Sequence, residues 1–292
     1  MTLTVSLIAA RENANLEGSL LDSLRRNWRG TGLHWLNPGI AAEFQIDLRP
    51  EDLEEVWSDL QTIAIDLVLQ PTAARRKRVL LADMDSTMID QECIDELAAE
   101  AGVGKRVAAI TARAMNGELN FHEALIERVG LLAGLPESTI RKVLDTRITL
   151  AEGGRELVAT MRAHGGYGAL VSGGFTSFSE PVARQLGFHE NRANTLLSEG
   201  GVLTGHVALP VLGREAKVEA LNEITAARGL TPADVIAVGD GANDLGMLQL
   251  AGTGVALHAK PAVAAQAGIT INHGDLTALL YLQGYSAREF SH

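Results

Sequence analysis

The sequence predicts an α/β protein, a doubly wound parallel sheet with a helical cap insertion, preceded by a small α+β unit of ferredoxin-like order. Three observations predict it. Short β-rich apolar runs end in polar residues at Val79–Ala82, Ala169–Val171 and Val235–Val238. Amphipathic helical patterns separate these runs, which is the alternation of a parallel sheet with crossover helices. The first seventy residues instead read β-α-β-β-α-β.

In that first unit, Leu3–Ile8 alternates as a strand and Leu16–Trp28 carries a helical period. Leu33–Leu36 and Ala42–Ile46 form two strands joined at Asn37-Pro38-Gly39, Asp52–Ile63 a helix, and Ile65–Leu69 a last strand. The unit is expected to span 1–74 and the second domain 75–292. Arg75-Arg76-Lys77-Arg78 between them reads as a solvated linker.

The second domain starts with the Val79 strand, yet its next strand does not appear until about Gly168. Four amphipathic patterns fill the interval, near Gln91–Ala101, Lys105–Met115, Phe121–Leu132 and Glu137–Leu144. An insertion at about 88–150, so close to the first strand end, would cover it as a cap. Arg155–His164 and Val218–Ala227 are crossover helices, Gly200-Gly201 marks a hairpin, and Gly254–Leu257 and Ile269–Ile271 are further strands.

The strand ends carry the chemistry. Asp83-Met84-Asp85-Ser86-Thr87, Ser172-Gly173-Gly174 and Gly239-Asp240-Gly241-Ala242-Asn243-Asp244 follow the three runs, and ligands in open parallel sheets sit outside such ends. Asp83 and Asp85, two residues apart on an extended chain, share a face. Lys217 opens a helical pattern between the last two motifs. Either carboxylate of the pair could attack an electrophile. Four acids in one volume repel one another, each like-charge contact costing on the order of 4 kcal/mol at ~4 Å and a dielectric of ~20. A divalent cation is therefore required, and oxygen-only ligands suit Mg²⁺.

In order and type, these segments resemble the haloacid-dehalogenase-like (HAD) phosphatases, whose pattern is DxD, Ser/Thr, Lys and a GDxxxD-like acidic motif. Glu92, Met115, Phe121 and the run Arg128–Leu135 narrow the resemblance to the phosphoserine phosphatase family, over roughly residues 79 to 275. The resemblance implies that Asp83 is the nucleophile, forming an aspartyl phosphate, and that Asp85 is the general acid and then the base. It implies Mg²⁺ on Asp83, Asp240 and the Asp85 carbonyl, with Asp244 behind them. Lys217, Ser172, Gly173 and Asn243 would hold the phosphate. Glu92 and Arg128 would read the ammonium and carboxylate of O-phosphoserine, while Met115 and Phe121 exclude water over it.

The N-terminal unit is similar in topology to amino-acid-sensing ACT domains. Its first turn, Arg11–Asn15, lacks the glycine-containing pattern those domains use for their ligand, so a structural module, or one that makes a homodimer, is expected. Serine sensing by this unit is the competing view.

Composition excludes other classes. A net charge of −11 and 4% aromatic residues oppose nucleic-acid binding. No stretch approaches the ~18 continuous apolar residues of a membrane span, and Met1–Ala10 has no basic n-region, so a cytoplasmic enzyme is expected. The single Cys93 excludes an internal disulfide and a cysteine-based zinc cluster and reads as a small buried hydrophobe; the histidines show no HxH or HExxH spacing. Two rivals share the motif: a phosphotransferase passing the phosphoryl group to another alcohol, and a phosphorylated receiver switch, which a cap of about sixty residues would obstruct.

Overall fold

The computed structural model describes residues 2–115 and 118–292; side chains at 114 and 115 lie outside the described residues. The N-terminal unit comprises β1 (Leu3–Ala9), α1 (Gly18–Asn27), β2 (Thr31–Asn37), β3 (Ala41–Ile46), α2 (Leu53–Gln61) and β4 (Ile65–Pro71). Its sheet runs β2-β3-β1-β4 and the pairs are antiparallel, the ferredoxin-like order expected from the sequence. Alternation along β1 decides the packing. Val5, Leu7 and Ala9 point to Leu21, Leu24 and Leu60 of the two helices, while Ile8 joins Leu36, Ala41 and Val68 in the large core of the second domain.

Polar groups also cross this seam. The fully buried Asp66 carboxylate accepts hydrogen bonds from the backbone N–H groups of Asn272, His273 and Gly274, at 2.9, 3.0 and 2.8 Å. Gln70 donates to the Leu282 carbonyl at 2.8 Å and Asn37 to the Tyr281 hydroxyl at 2.9 Å. The basic linker is exposed at Arg76 and Arg78, as expected of a solvated segment, while Arg75 and Lys77 are part-buried. Arg75 forks onto Glu43 at 2.7 and 3.0 Å with little exposure, Arg76 lies over the Tyr285 ring and pairs with Glu289, and Lys77 donates to the Ala233 carbonyl. Close acids, an aromatic face and a free carbonyl hold these cations, which a charge run alone does not reveal.

The core sheet begins with β5 (Val79–Ala82). The cap follows as α3 (Cys93–Glu100), α4 (Gly104–Met115), α5 (Phe121–Gly130) and α6 (Ser138–Thr146). Its two ends meet in an antiparallel bridge between Ile89 and Leu150. Then come α7 (Gly154–Ala163), β6 (Tyr167–Phe175), α8 (Thr176–Leu186), β7 (Glu190–Asn194), the hairpin β8 (Leu196–Glu199) and β9 (Val202–Val207), and α9 (Arg214–Ala227). The chain ends with β10 (Val235–Gly239), α10 (Leu245–Leu250), β11 (Thr253–Leu257), α11 (Pro261–Ala264), β12 (Ile269–Ile271) and α12 (Ala278–Leu282).

The six strands of the core are ordered β12-β11-β10-β5-β6-β7 and pair in parallel. Strand order reverses beside β5, so a crevice opens at its carboxyl end, the position where doubly wound sheets bind ligands. Asp83 follows β5, Asp240 follows β10, and Ser172–Gly174 lie within β6. All three motifs face that crevice, and the cap rises over it.

Candidate active site

Asp83 is fixed by its backbone, whose N–H donates to the Val238 carbonyl at 3.0 Å and so ties the ends of β5 and β10 together. Lys217, in the first turn of α9 and 1% exposed, points into the same space. Its Nζ lies 2.6 Å from Asp83 Oδ1 and donates to Asp244 Oδ1 at 2.5 Å. The approach to Asp83 is close without a hydrogen-bond alignment, so that oxygen is attracted by charge and still lacks a directed donor. Burial disfavours a lysine cation, but Asp244 and Asp83 overcome it and hold the ammonium charged.

One ligand atom each from Asp83, Asp240 and Asp244 falls within a span of 4.8 Å. Burial, reinforced by Asp244, pushes the Asp83 carboxyl well above its usual range against the pull of Lys217. Burial and Asp244 likewise lift Asp240 to about 7, with Lys260 opposing. Three buried carboxylates against one lysine leave an excess of negative charge that a divalent cation would offset. The donors fit such an ion: among the described residues Asp240 receives only a long 3.4 Å contact from Thr87 Oγ1, and Asp83 Oδ1 has no aligned donor. Asp244 is less available, because Lys217 and the Gly241 N–H, at 3.0 Å, occupy its two oxygens.

Asp85 stands apart from that cluster. Its Oδ1 accepts from the Cys93 N–H at 2.9 Å, at the start of α3, and its Oδ2 from Ser172 Oγ at 3.3 Å. Burial and the nearby Glu92 charge raise it to about 6, against the lowering effect of those hydrogen bonds. Glycine is required beside it: a Cβ at Gly174 would lie 2.6 Å from Asp85 Oδ2. The Gly174 N–H instead donates to Ser172 Oγ at 2.8 Å. Burial pushes the Cys93 thiol far above its ordinary value, so this cysteine is an inert core residue.

The cap brings its residues to the same place. Asn120 and Glu123 form a capping box that starts α5 with Phe121. Phe121 and Arg128 are seven residues apart, two turns along one helical face. The Phe121 ring lies on two glycines, where a Cβ at Gly173 would come within 2.9 Å of it and one at Gly213 within 3.2 Å. Asn243 is also close to this loop, its Nδ2 3.9 Å from where a Cβ at Gly173 would stand. Arg128 Nε donates to the Ala124 carbonyl at 3.2 Å, and no ion pair within 4.0 Å is formed by its guanidinium among the described residues. Glu92, at the N-cap of α3, accepts from Ser86 Oγ at 2.8 Å, and Ser86 holds the unusual φ of 55°. Met115 ends α4, and its side chain lies outside the described residues.

Some contributors escaped the sequence reading. Asn194, 2% exposed, donates to the Gly173 and Leu212 carbonyls at 2.9 and 3.1 Å and accepts from the Leu212 N–H at 2.7 Å, so it joins the Gly173 loop to the segment leading to Lys217. Thr87 touches Asp240, and Lys260 follows β11 with its N–H on the Asp240 carbonyl at 3.4 Å. The Ser-Thr after the paired aspartates was a signal for Thr87. Nothing in the sequence marks Asn194.

Residues 80–249 match the family model described as haloacid dehalogenase-like hydrolase. Phosphoserine phosphatase of Archaeoglobus fulgidus is 42% identical over 246 residues, covering 82% of this chain and 71% of that one. A HAD family hydrolase from Salmonella enterica serovar Typhi superposes with a TM-score of 0.86 at 28% identity, over 96% of this chain and 98% of its own, so the likeness runs through both units. A substrate-bound phosphoserine phosphatase gives a TM-score of 0.66 at 41% identity, over 70% of this chain and 97% of its own. The strand-end acids, the buried lysine and the matched family model converge: this chain belongs to the haloacid dehalogenase-like hydrolases.

Proposed function

We propose that this protein is a phosphoserine phosphatase, hydrolysing O-phospho-L-serine to L-serine and phosphate as the last step of serine biosynthesis. The observation that carries the reading is the placement of Asp83, beside a buried lysine and next to a separately held Asp85, beneath a cap that presents Glu92 and Arg128.

Asp83 attacks phosphorus in line, forming an Oδ–P bond as the bond to the serine oxygen breaks. Asp85 gives that oxygen its proton. A carboxyl raised to about 6 by burial is protonated in a useful fraction near neutral pH and, once ionised, is a stronger base than an ordinary carboxylate. It then takes a proton from water, which attacks phosphorus and releases phosphate and the free Asp83 carboxylate. Lys217, the Ser172 hydroxyl, the Gly173 amide and Asn243 bind the phosphoryl oxygens. Mg²⁺, held by Asp83, Asp240 and the Asp85 carbonyl with Asp244 behind, would neutralise charge on the phosphoryl group.

Arg128 suits the substrate carboxylate because it is half-buried and, among the described residues, has no close carboxylate partner, and Glu92 suits the ammonium. Phe121 lies over the Gly173 loop, and with Met115 it keeps water from the phosphoryl group. We assign residues 1–74 to an ACT-like domain and 75–292 to the phosphatase domain, with the cap at about 88–150. A cytoplasmic location fits this metabolic role, and no helix among the described residues is long and apolar enough to cross a membrane. A homodimer through the N-terminal unit would use its helices or its strand edges, since one sheet face covers the core.

The test is phosphate release from a panel of phosphorylated metabolites. Phosphoserine turned over best, activity lost to chelator and restored by Mg²⁺, and no turnover by Asp83→Asn is the expected pattern. Equal rates across the panel, or an active Asp83→Asn protein, would overturn the reading.

A further inference from the structure

No step of that chemistry uses Asn194, yet this buried side chain has its polar groups bonded to backbone that carries the site. It stands on β7 where the pairing with β6 is broken. From Val171 to Phe175 β6 advances four residues, while β7 advances two, from Arg192 to Asn194. Ser172, Gly173 and Gly174 therefore form a bulge, in which the ladder of backbone hydrogen bonds is interrupted. The Asn194 side chain takes the place of the missing ladder, donating from Nδ2 to the Gly173 carbonyl at 2.9 Å.

That bond begins a chain that ends at Asp85. The Gly173 carbonyl and the Gly174 N–H belong to one planar peptide unit, so fixing the first orients the second. The Gly174 N–H donates to Ser172 Oγ at 2.8 Å, and Ser172 Oγ directs its own proton to Asp85 Oδ2 at 3.3 Å. The same Asn194 amide also grips Leu212, donating to its carbonyl at 3.1 Å and accepting from its N–H at 2.7 Å. Leu212 is followed by Gly213, the N-cap of α9, and Lys217 lies in the first turn of that helix. The Phe121 ring rests on both segments, at Gly173 and at Gly213.

We propose that Asn194 is a positioning residue that sets the separation between two arms of the phosphoryl-binding cradle, the Ser172–Gly174 bulge with Asp85 beside it and the start of α9 with Lys217. The inference rests on the phosphatase reading. Neither arm is placed by regular structure alone: one bulges out of its ladder, and Leu212 lies in an irregular segment ahead of its helix. A Gly173 carbonyl deprived of its donor would turn toward another partner and carry the Gly173–Gly174 peptide with it.

Asn194→Ala is expected to lower kcat about tenfold on phosphoserine and on p-nitrophenyl phosphate alike, with KM for phosphoserine within about threefold of the parent, and to weaken inhibition by orthovanadate about tenfold. Each value is taken per folded molecule, the folded fraction being read from urea denaturation. Asn194→Ser, whose hydroxyl can serve one of the two carbonyls, should lose less, and it decides the matter if the alanine variant does not fold. Parent values of kcat and of orthovanadate inhibition in a variant whose only change is a lower urea midpoint would overturn the inference and mark Asn194 as a purely structural residue. A loss confined to phosphoserine would also overturn it, because the cradle serves every ester. A parent protein that hydrolyses p-nitrophenyl phosphate and ignores phosphoserine would overturn the substrate reading instead, and the comparison on p-nitrophenyl phosphate would still decide the role of Asn194.

Discussion

Lys217 Nζ and Asp83 Oδ1 lie 2.6 Å apart in the interior, and the same ammonium is shared with Asp244. One cation thus holds two carboxylates that would otherwise repel each other in a space closed to solvent. Lys217→Ala removes that cation and, on the proposed reading of the site, the charge that meets the phosphoryl group. A fall in kcat of about 10²- to 10³-fold on phosphoserine and on p-nitrophenyl phosphate alike is expected, measured by phosphate release.

Gly174→Ala tests the placement of Asp85. The added methyl would stand 2.6 Å from Asp85 Oδ2, well inside contact distance, so the carboxyl must move. Displacement of about 1 Å at a reacting group costs on the order of 10²-fold. The loss is expected in kcat with KM nearly unchanged, because the readers on the cap are untouched.

On the proposed reading of the site, Glu92→Gln and Arg128→Ala each leave one charge of phosphoserine unpaired. About 2 to 4 kcal/mol of transition-state stabilisation is expected to be lost with phosphoserine, seen as kcat/KM. p-Nitrophenyl phosphate, which has no amino acid moiety, should be turned over at the parent rate; equal losses would place these residues in the chemistry or the fold.

Asp66→Ala strips three backbone N–H groups, that of Gly274 buried and those of Asn272 and His273 part-buried, of their acceptor. About 3 kcal/mol of unfolding free energy should be lost, read from urea denaturation. Stability unaltered within about 0.5 kcal/mol would mean that water replaces the carboxylate.

The strand-end motifs were legible because phosphoryl chemistry restricts both residue type and spacing, and the apolar runs before them place them on strands. The cap was legible from the long interval between Val79 and Gly168. Other parts gave little signal. The edge strand β7 reads Glu-Asn-Arg-Ala-Asn and lacks an apolar alternation, and α8 carries Pro181 within it. Asn194 acts through carbonyls brought near only by the fold. Arg75 looked solvated because Glu43, its partner, is distant in sequence.

The seam around Asp66 has a practical consequence. Severing the chain at the linker would uncover a patch that Ile8, Leu36 and Val68 now keep dry, and would leave the Asn272–Gly274 amides without their acceptor. The catalytic half expressed alone would therefore be sticky and poorly soluble, and any signal received by the N-terminal sheet would travel through a welded joint rather than a swinging one.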